Sequence, residues 1–117
     1  MTSTTGTLTV TRADPRTLAR HDVGELSFDG ETYEFRYLTA AAAHPGFRPL
    51  LGFPDLYTTY TSPTLFPLFA QRVLSPTRSD YSAYMRSLWL DEGSTAWQQL
   101  AVSGGQRSSD TIMVRMS

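Results

Sequence analysis

Two pairs of side chains could do acid–base or metal chemistry. Glu25 and Glu34 fall on one face of a predicted hairpin, and paired carboxylates can act as acid and base. Arg36 lies diagonally adjacent to them, so we favour a solvated ion cluster over a catalytic pair. His21 and His44 are far apart, and neither has the i, i+4 spacing of a histidine metal site. We predict no catalytic residue, no metal ligand and no bound cofactor.

A serine- and glycine-rich segment near the end of the chain has the composition of a phosphate-binding loop. Residues 103–107, SGGQR, are close to the signature loop of ABC-type ATPases. That loop works opposite a Walker A motif, whose lysine reaches the phosphates. This chain has no lysine, and its segment follows a predicted helix, whereas the ATPase loop precedes one. We therefore interpret Gly104-Gly105 as a helix end and turn. Protein-kinase chemistry is excluded similarly, since H-R-D and D-F-G motifs are missing.

An aromatic stretch with two prolines, residues 47–60, has two interpretations. Tyrosine and arginine on a surface loop suit a protein interface or stacking on single-stranded bases. Alternatively, the aromatic rings fix a proline-rich loop onto the core, which we favour, with Arg48 and Tyr60 expected to remain exposed. The candidate partner-binding residues are Arg48, Phe53, Tyr57, Tyr60 and Arg107.

The composition predicts one globular domain. The 117 residues are 40% hydrophobic, and we expect a flexible tail at 1–6 and a single domain at 7–117. Absence of cysteine excludes disulfides and thiol catalysis, and no apolar run is long enough for a membrane span. The first residues do not resemble a secretory signal, so we expect a cytoplasmic protein. A net charge of −1 makes direct nucleic-acid binding improbable.

The pattern along the chain predicts an α+β fold with a small antiparallel sheet. Alternation over 7–11 indicates a strand, and 13–22 indicates a polar connection with one helical turn from Pro15. Asp29-Gly30 favours a two-residue turn in a hairpin over 23–38, which places Leu26 opposite Tyr33. We further predict an extended piece over 50–53, helices at 65–74, 79–90 and 95–103, and a closing strand at 110–116. Thr64 is predicted to cap the first of these helices, Ser79 or Asp80 the second, and Ser94 the third.

Several motifs occur in the order found in one bacterial family. They are VGEL (23–26), YEFRYL (33–38), PLLGFPDL (49–56), LFPLFAQRVLSP (65–76) and WQQLAVSGGQRSSDTI (97–112). In order and spacing they resemble the N-terminal subdomain of HipA-type toxin kinases, over residues 22–114. Gly104 and Gly105 match the Gly-Gly of that family, and Pro76 matches the proline that ends its helix.

The resemblance implies a function without catalysis. In that family the subdomain packs against the kinase core, or is a separate protein that restrains the kinase. We therefore expect a regulatory protein-interaction module that binds and modulates a kinase-like partner in a toxin–antitoxin system.

An alternative function remains open. The chain is also similar to segments that precede HIRAN modules, which implies an accessory domain of a DNA-metabolism protein. That function requires five arginines to converge on one face: Arg48, Arg72, Arg78, Arg86 and Arg107. A small enzyme is the third and least favoured hypothesis.

Overall fold

A five-stranded antiparallel sheet forms one layer of the protein. The computed structural model describes residues 5–13, 19–43, 47–74, 77–90, 94–105 and 112–116. The strands are β1 (Gly6–Ala13), β2 (Arg20–Phe28), β3 (Tyr33–Tyr37), β4 (Tyr60–Ser62) and β5 (Ile112–Met116). They are ordered β4-β3-β2-β1-β5, and each neighbouring pair is antiparallel. The α+β fold expected from the sequence is confirmed.

Four short helices accompany the sheet in the described part of the chain. They are α1 (Thr39–Ala42), α2 (Pro67–Ala70), α3 (Tyr81–Ser87) and α4 (Ala96–Ser103). The last three correspond to the predicted helices at 65–74, 79–90 and 95–103, although α2 and α3 are shorter than expected. Among the described residues, no helix has the length and apolar character needed to cross a membrane.

The predicted hairpin forms between β2 and β3, but its register differs by two residues. Phe28 pairs with Tyr33 and Leu26 pairs with Phe35, where the two-residue turn would have paired Leu26 with Tyr33. The connecting loop therefore has four residues, 29–32. Because side chains alternate with a period of two, this shift leaves each residue on its predicted face of the sheet.

The longer loop is held by the side chain of Asp29. Its Oδ1 accepts hydrogen bonds from the backbone N–H groups of Thr32 (2.8 Å) and Glu31 (2.9 Å). The same two bonds, that from Thr32 first, lower the pKa of the Asp29 carboxyl. The sequence signal of Asp29-Gly30 was correct for a turn, but the carboxylate selects a wider loop than the backbone preference alone indicates.

β1 is a central strand, which is longer than the predicted short strand. Its partner β2 begins at Arg20, inside the 13–22 segment that was predicted to be a polar connection. This prediction was wrong for Ala13, which ends β1, and for residues 20–22 of β2. Residues 20–22 are exposed, so they lack the alternating hydrophobic pattern by which a strand is recognised. Val23 forms a β-bulge, because Val10 of β1 pairs with Gly24 and the next residue, Thr11, pairs with Asp22. The helical turn expected from Pro15 lies outside the described residues.

The starts of α2 and α4 differ from the predicted caps, whereas Asp80 precedes α3 as predicted, although its side chain makes no capping hydrogen bond. Phe66 rather than Thr64 precedes α2, with Pro67 at its first position. Thr95 rather than Ser94 caps α4: Thr95 Oγ1 accepts from the N–H of Gln98 (3.2 Å), and Gln98 Oε1 accepts from the N–H of Thr95 (2.8 Å). This is a capping box, which satisfies two N–H groups that the helix leaves unpaired. It fixes where α4 begins.

The chain between α1 and α2 is organised differently from the prediction. Leu50–Phe53 was expected to be extended, but it is a turn in which the N–H of Phe53 donates to the carbonyl of Leu50 (3.0 Å). Gly52 has φ 89° there, a conformation that glycine adopts without strain. The unpredicted strand β4 follows, and it pairs with the first three residues of β3.

The hydrophobic core lies on one face of the sheet. Phe35 of β3 is fully buried and packs against Phe53 and Phe69, with ring centroids 4.4 and 6.0 Å away. Trp97 of α4 is 2% exposed and lies beside the stacked rings of Phe28 and Tyr33. The aromatic residues of the hairpin thus join the sheet to α2 and α4.

The outer edge of β5 is bonded by groups from other elements. The N–H of Val114 donates to the carbonyl of Gly104 (2.8 Å), and Arg72 Nη1 donates to the carbonyl of Ile112 (3.2 Å). The same nitrogen of Arg72 also donates to the carbonyl of Gly105 (3.0 Å). These bonds tie the closing strand to the ends of α2 and α4.

Candidate functional site

The Gly-Gly segment is a helix end, as predicted from the sequence. Gly104 caps α4 with φ 75°, in the left-handed conformation favoured for glycine at this position. The N–H of Gly104 donates to the carbonyl of Leu100 (3.1 Å), and the N–H of Gly105 donates to Ser103 Oγ (3.2 Å). Both amides are thus used within the protein, and neither is directed at a phosphate site. Arg107 lies outside the described residues.

The two glutamates of the hairpin are not opposite one another. Glu25 pairs with Arg36, and Arg36 Nη2 donates to Glu25 Oε1 at 3.0 Å. Glu34 instead faces Ser27 on one side and Thr61 on the other. The predicted cross-strand carboxylate pair was therefore wrong, because the two-residue shift of register moves Arg36 into its place, and the ion pair expected at Glu25 is present.

The histidines do not form a metal centre with the described residues. His21 lies on the exposed first part of β2, and His44 falls outside the described segments. Within those segments no group of three or more histidine, aspartate or glutamate side chains could hold a metal ion.

The predicted partner-binding residues divide between core and surface. Phe53 is 2% exposed and belongs to the core, so its assignment as a surface contact was wrong. Tyr60 was predicted to remain exposed but is half-buried, because its ring packs 5.1 Å from that of Phe53. Arg48 is exposed, and its carbonyl accepts a hydrogen bond from Arg12 Nη1 (2.9 Å). Tyr57 is 90% exposed, so its ring is accessible to a partner.

The loop that carries Tyr57 is fixed at both ends. At one end, Tyr37 Oη donates to the carbonyl of Phe53 (2.6 Å) and accepts from the N–H of Leu50 (2.8 Å). At the other end, the N–H of Asp55 donates to Tyr60 Oη (2.8 Å). Burial raises the pKa of the Tyr37 hydroxyl, which keeps it protonated as the donor.

The carboxylate of Asp55 organises the tip of this loop. Asp55 Oδ2 accepts from Thr58 Oγ1 (2.6 Å), and Oδ1 accepts from the N–H of Tyr57 (2.8 Å). The hydrogen bond from Thr58, followed by that from Tyr57, lowers the pKa of the Asp55 carboxyl below its ordinary value of 3.8. The ring of Tyr57 is thereby presented to solvent on an ordered backbone.

Replacing Thr58 with valine is expected to raise the pKa of Asp55 toward 3.8, because the largest cause of its lowered value is removed. In the wild-type chain the folded pKa is depressed, so the ionised loop is stabilised above pH 3.8 and this stabilisation is lost as the pH falls through the folded pKa. Carboxyl carbon NMR titration measures the pKa of Asp55, and urea denaturation at several pH values measures the stabilisation. Asp29, whose pKa is lowered by other residues, is the internal control, and an unchanged Asp55 pKa in T58V contradicts the assignment.

Trp89 is an exposed surface residue that was not among the candidates predicted from the sequence. It follows α3 with φ 60°, and its side chain is 95% exposed. The N–H of Trp89 donates to the carbonyl of Arg86 (3.0 Å), and the N–H of Leu90 donates to that of Met85 (2.9 Å). This bonding pattern is the Schellman motif, in which the left-handed position is usually glycine.

A tryptophan at that position is unfavourable in two ways. A bulky side chain in the left-handed region costs about 1–2 kcal/mol of backbone strain. Its exposed ring also leaves a large apolar surface in water. The only indication of this position in the sequence is that no glycine follows α3 until Gly93. The helical pattern continues through Trp89 to Leu90, so it does not show where α3 ends. An exposed outlier of this kind is typical of a functional contact.

Comparison with known proteins does not place the chain in a family. No protein-family model matches it. A search of curated proteins found no match either.

Proposed function

We propose that the chain is a non-catalytic interaction module that binds a kinase-like protein and modulates it, in a cytoplasmic toxin–antitoxin system. The motifs that resemble the HipA N-terminal subdomain suggest the kind of partner. The single observation that carries the interaction role is Trp89, which is 95% exposed in a strained backbone conformation. Burial of this ring against a partner would recover the apolar surface that the folded chain leaves in water.

Exposed side chains on the loop between α1 and β4 support the same function. Leu51 and Tyr57 are 81% and 90% exposed, and both lie in the segment that Tyr37 and Asp55 hold in place. An aromatic side chain on an ordered loop loses little conformational entropy on binding, which favours it as an interface anchor. These residues are candidates for further contacts with the partner.

The alternative function, an accessory domain in DNA metabolism, has less support from the arginines. Arg72 is 7% exposed and donates to internal carbonyls, so it does not contribute to a basic surface. Arg78 forms an ion pair with Asp80 at 3.1 Å. Arg48 and Arg86 are exposed. Two of the four described arginines are thus committed to contacts within the chain.

Replacing Trp89 with glycine is expected to abolish partner binding while raising the free energy of unfolding by about 1 kcal/mol, since the strain is relieved. The tagged chain is used to recover proteins from the native host, with and without nuclease. The recovered kinase-like protein is then assayed for phosphorylation with wild-type chain and W89G. Loss of binding by a stabilised variant separates an interface role from misfolding.

Two further variants complete the test. Trp89→Phe retains an aromatic ring and is expected to retain most binding, and Met116→Ala removes another exposed apolar side chain and is expected to bind as wild type. Equal binding by W89G and wild-type chain would reject the role of Trp89. Recovery only of DNA-processing proteins, lost on nuclease treatment, would reject the kinase-directed function and favour the alternative.

A further inference from the structure

A shallow groove lies beside the hairpin loop on the sheet face opposite the hydrophobic core, and it is lined by polar side chains and by Phe28. It has a volume of about 450 Å³. One row of side chains crosses four strands at its floor, since Thr7 pairs with Ser27, Ser27 with Glu34, and Glu34 with Thr61. Residues directly opposite in antiparallel strands have Cβ atoms about 4.5–5.5 Å apart. The carboxylate of Glu34 therefore has a hydroxyl group on each side.

The groove is negatively charged and has no basic side chain in its lining. Asp29 joins Glu34 in the lining, and the hydrogen bonds from Thr32 and Glu31 that lower the Asp29 pKa keep that carboxyl ionised at neutral pH. The nearest cation along β3 is Arg36, which is paired with Glu25 at 3.0 Å. Among the described residues, none forms an ion pair with Glu34. Its charge is available to a ligand.

We propose that this groove binds a primary ammonium group, with Glu34 as its counter-ion and the hydroxyls of Ser27 and Thr61 as further acceptors. An ammonium group has three N–H donors and no acceptor, and the row offers three acceptor side chains. A guanidinium also pairs with a carboxylate, but its planar two-donor fork does not require the flanking hydroxyls, whereas the three donors of an ammonium match the three acceptors of this row. The chain contains no lysine, so the ammonium is supplied by another molecule, either a free diamine or a lysine of a bound protein.

NMR titration of the ¹⁵N-labelled chain tests this site without any partner. The probes are 1,4-diaminobutane, Nα-acetyl-lysine methylamide and, as an uncharged control, n-butanol. Both amines are expected to shift the amide signals of Ser27, Glu34 and Thr61, and butanol is expected to leave them unchanged. Glu34→Gln is expected to weaken amine binding by about tenfold or more, since it removes the charge from a charged hydrogen bond. Glu31→Gln removes an exposed glutamate outside the groove lining and is expected to bind as wild type.

Each outcome supports or overturns the site. Tighter binding of diaminobutane assigns the groove to free diamines, and tighter binding of the capped lysine assigns it to a protein side chain. The proposal is wrong if neither amine shifts these signals, if butanol shifts them equally, or if a folded E34Q variant binds the amines with wild-type affinity. Because Trp89 is not used, failure here leaves the proposed interaction function unaffected.

Discussion

Replacing Arg72 with methionine is expected to lower the free energy of unfolding by about 3 kcal/mol or more, because three buried carbonyls lose a charged donor. Arg72 is 7% exposed, and its Nε donates to the carbonyl of Leu68 at 3.0 Å. Its Nη1 donates to the carbonyls of Gly105 (3.0 Å) and Ile112 (3.2 Å). Methionine fills much of the same volume but donates no hydrogen bond, so α2, the end of α4 and β5 lose their common contact. Urea denaturation followed by circular dichroism measures the change.

Arg78→Met is the matched control for this substitution. Arg78 is 58% exposed, and its ion pair with Asp80 is a surface pair. Surface pairs contribute little, so we expect a change within about 0.5 kcal/mol. Equal effects of R72M and R78M would contradict the structural role of Arg72.

Replacing Gly24 with alanine is expected to destabilise the chain by about 3 kcal/mol, at the upper end of the cost of overpacking. A Cβ atom at Gly24 would lie 2.6 Å from the carbonyl oxygen of Arg36 and 2.8 Å from the ring of Phe35. The carbonyl belongs to the neighbouring strand β3, so it cannot move without distorting the hairpin. The melting temperature and the urea midpoint measure the loss.

Two comparisons identify the cause of that loss. Gly52→Ala faces open space and incurs only the conformational cost of φ 89°, so we expect about 1 kcal/mol. In a Phe35→Leu background, which removes the ring clash but leaves the carbonyl clash, Gly24→Ala is expected to cost less than in the wild-type chain but still to be destabilising. No cost relative to F35L would show that the ring alone causes the clash. A loss no larger than that of G52A would contradict the tight packing at Gly24.

Local chemistry explains the parts of the fold that the sequence predicted correctly. The alternation in the hairpin determines which residues face the core, and the left-handed glycine at Gly104 ends α4. Both features depend on neighbouring residues only. The capping box of Thr95 and Gln98 is also readable from the sequence, although Ser94 beside it offered an equally suitable cap.

Long-range contacts explain what could not be predicted. The short α2 ends where Arg72 turns its guanidinium toward Gly105 and Ile112, which are 33 and 40 residues away. β4 has three residues, and only its pairing with β3 makes it a strand. No pattern within either segment indicates these contacts.

The candidate site illustrates the same limit. Phe53 and Tyr57 are aromatic residues of one proline-rich loop, yet one is 2% exposed and the other 90%. The difference arises because Tyr37 holds Phe53 against the core and Asp55 holds the loop tip away from it. Trp89 lay within the helix predicted over 79–90. Its exposure depends on where α3 ends, and α3 ends at Ser87.

The bonded outer edge of β5 limits how this sheet can grow. An unpaired strand edge is a template for strand addition and for aggregation between copies. At β5 the N–H of Val114 and the carbonyl of Ile112 already have partners in Gly104 and Arg72. The opposite edge strand, β4, has only three residues. A protein that binds by extending this sheet is therefore expected to add its strand at β4, and loss of Arg72 would free the carbonyl of Ile112 on the β5 edge.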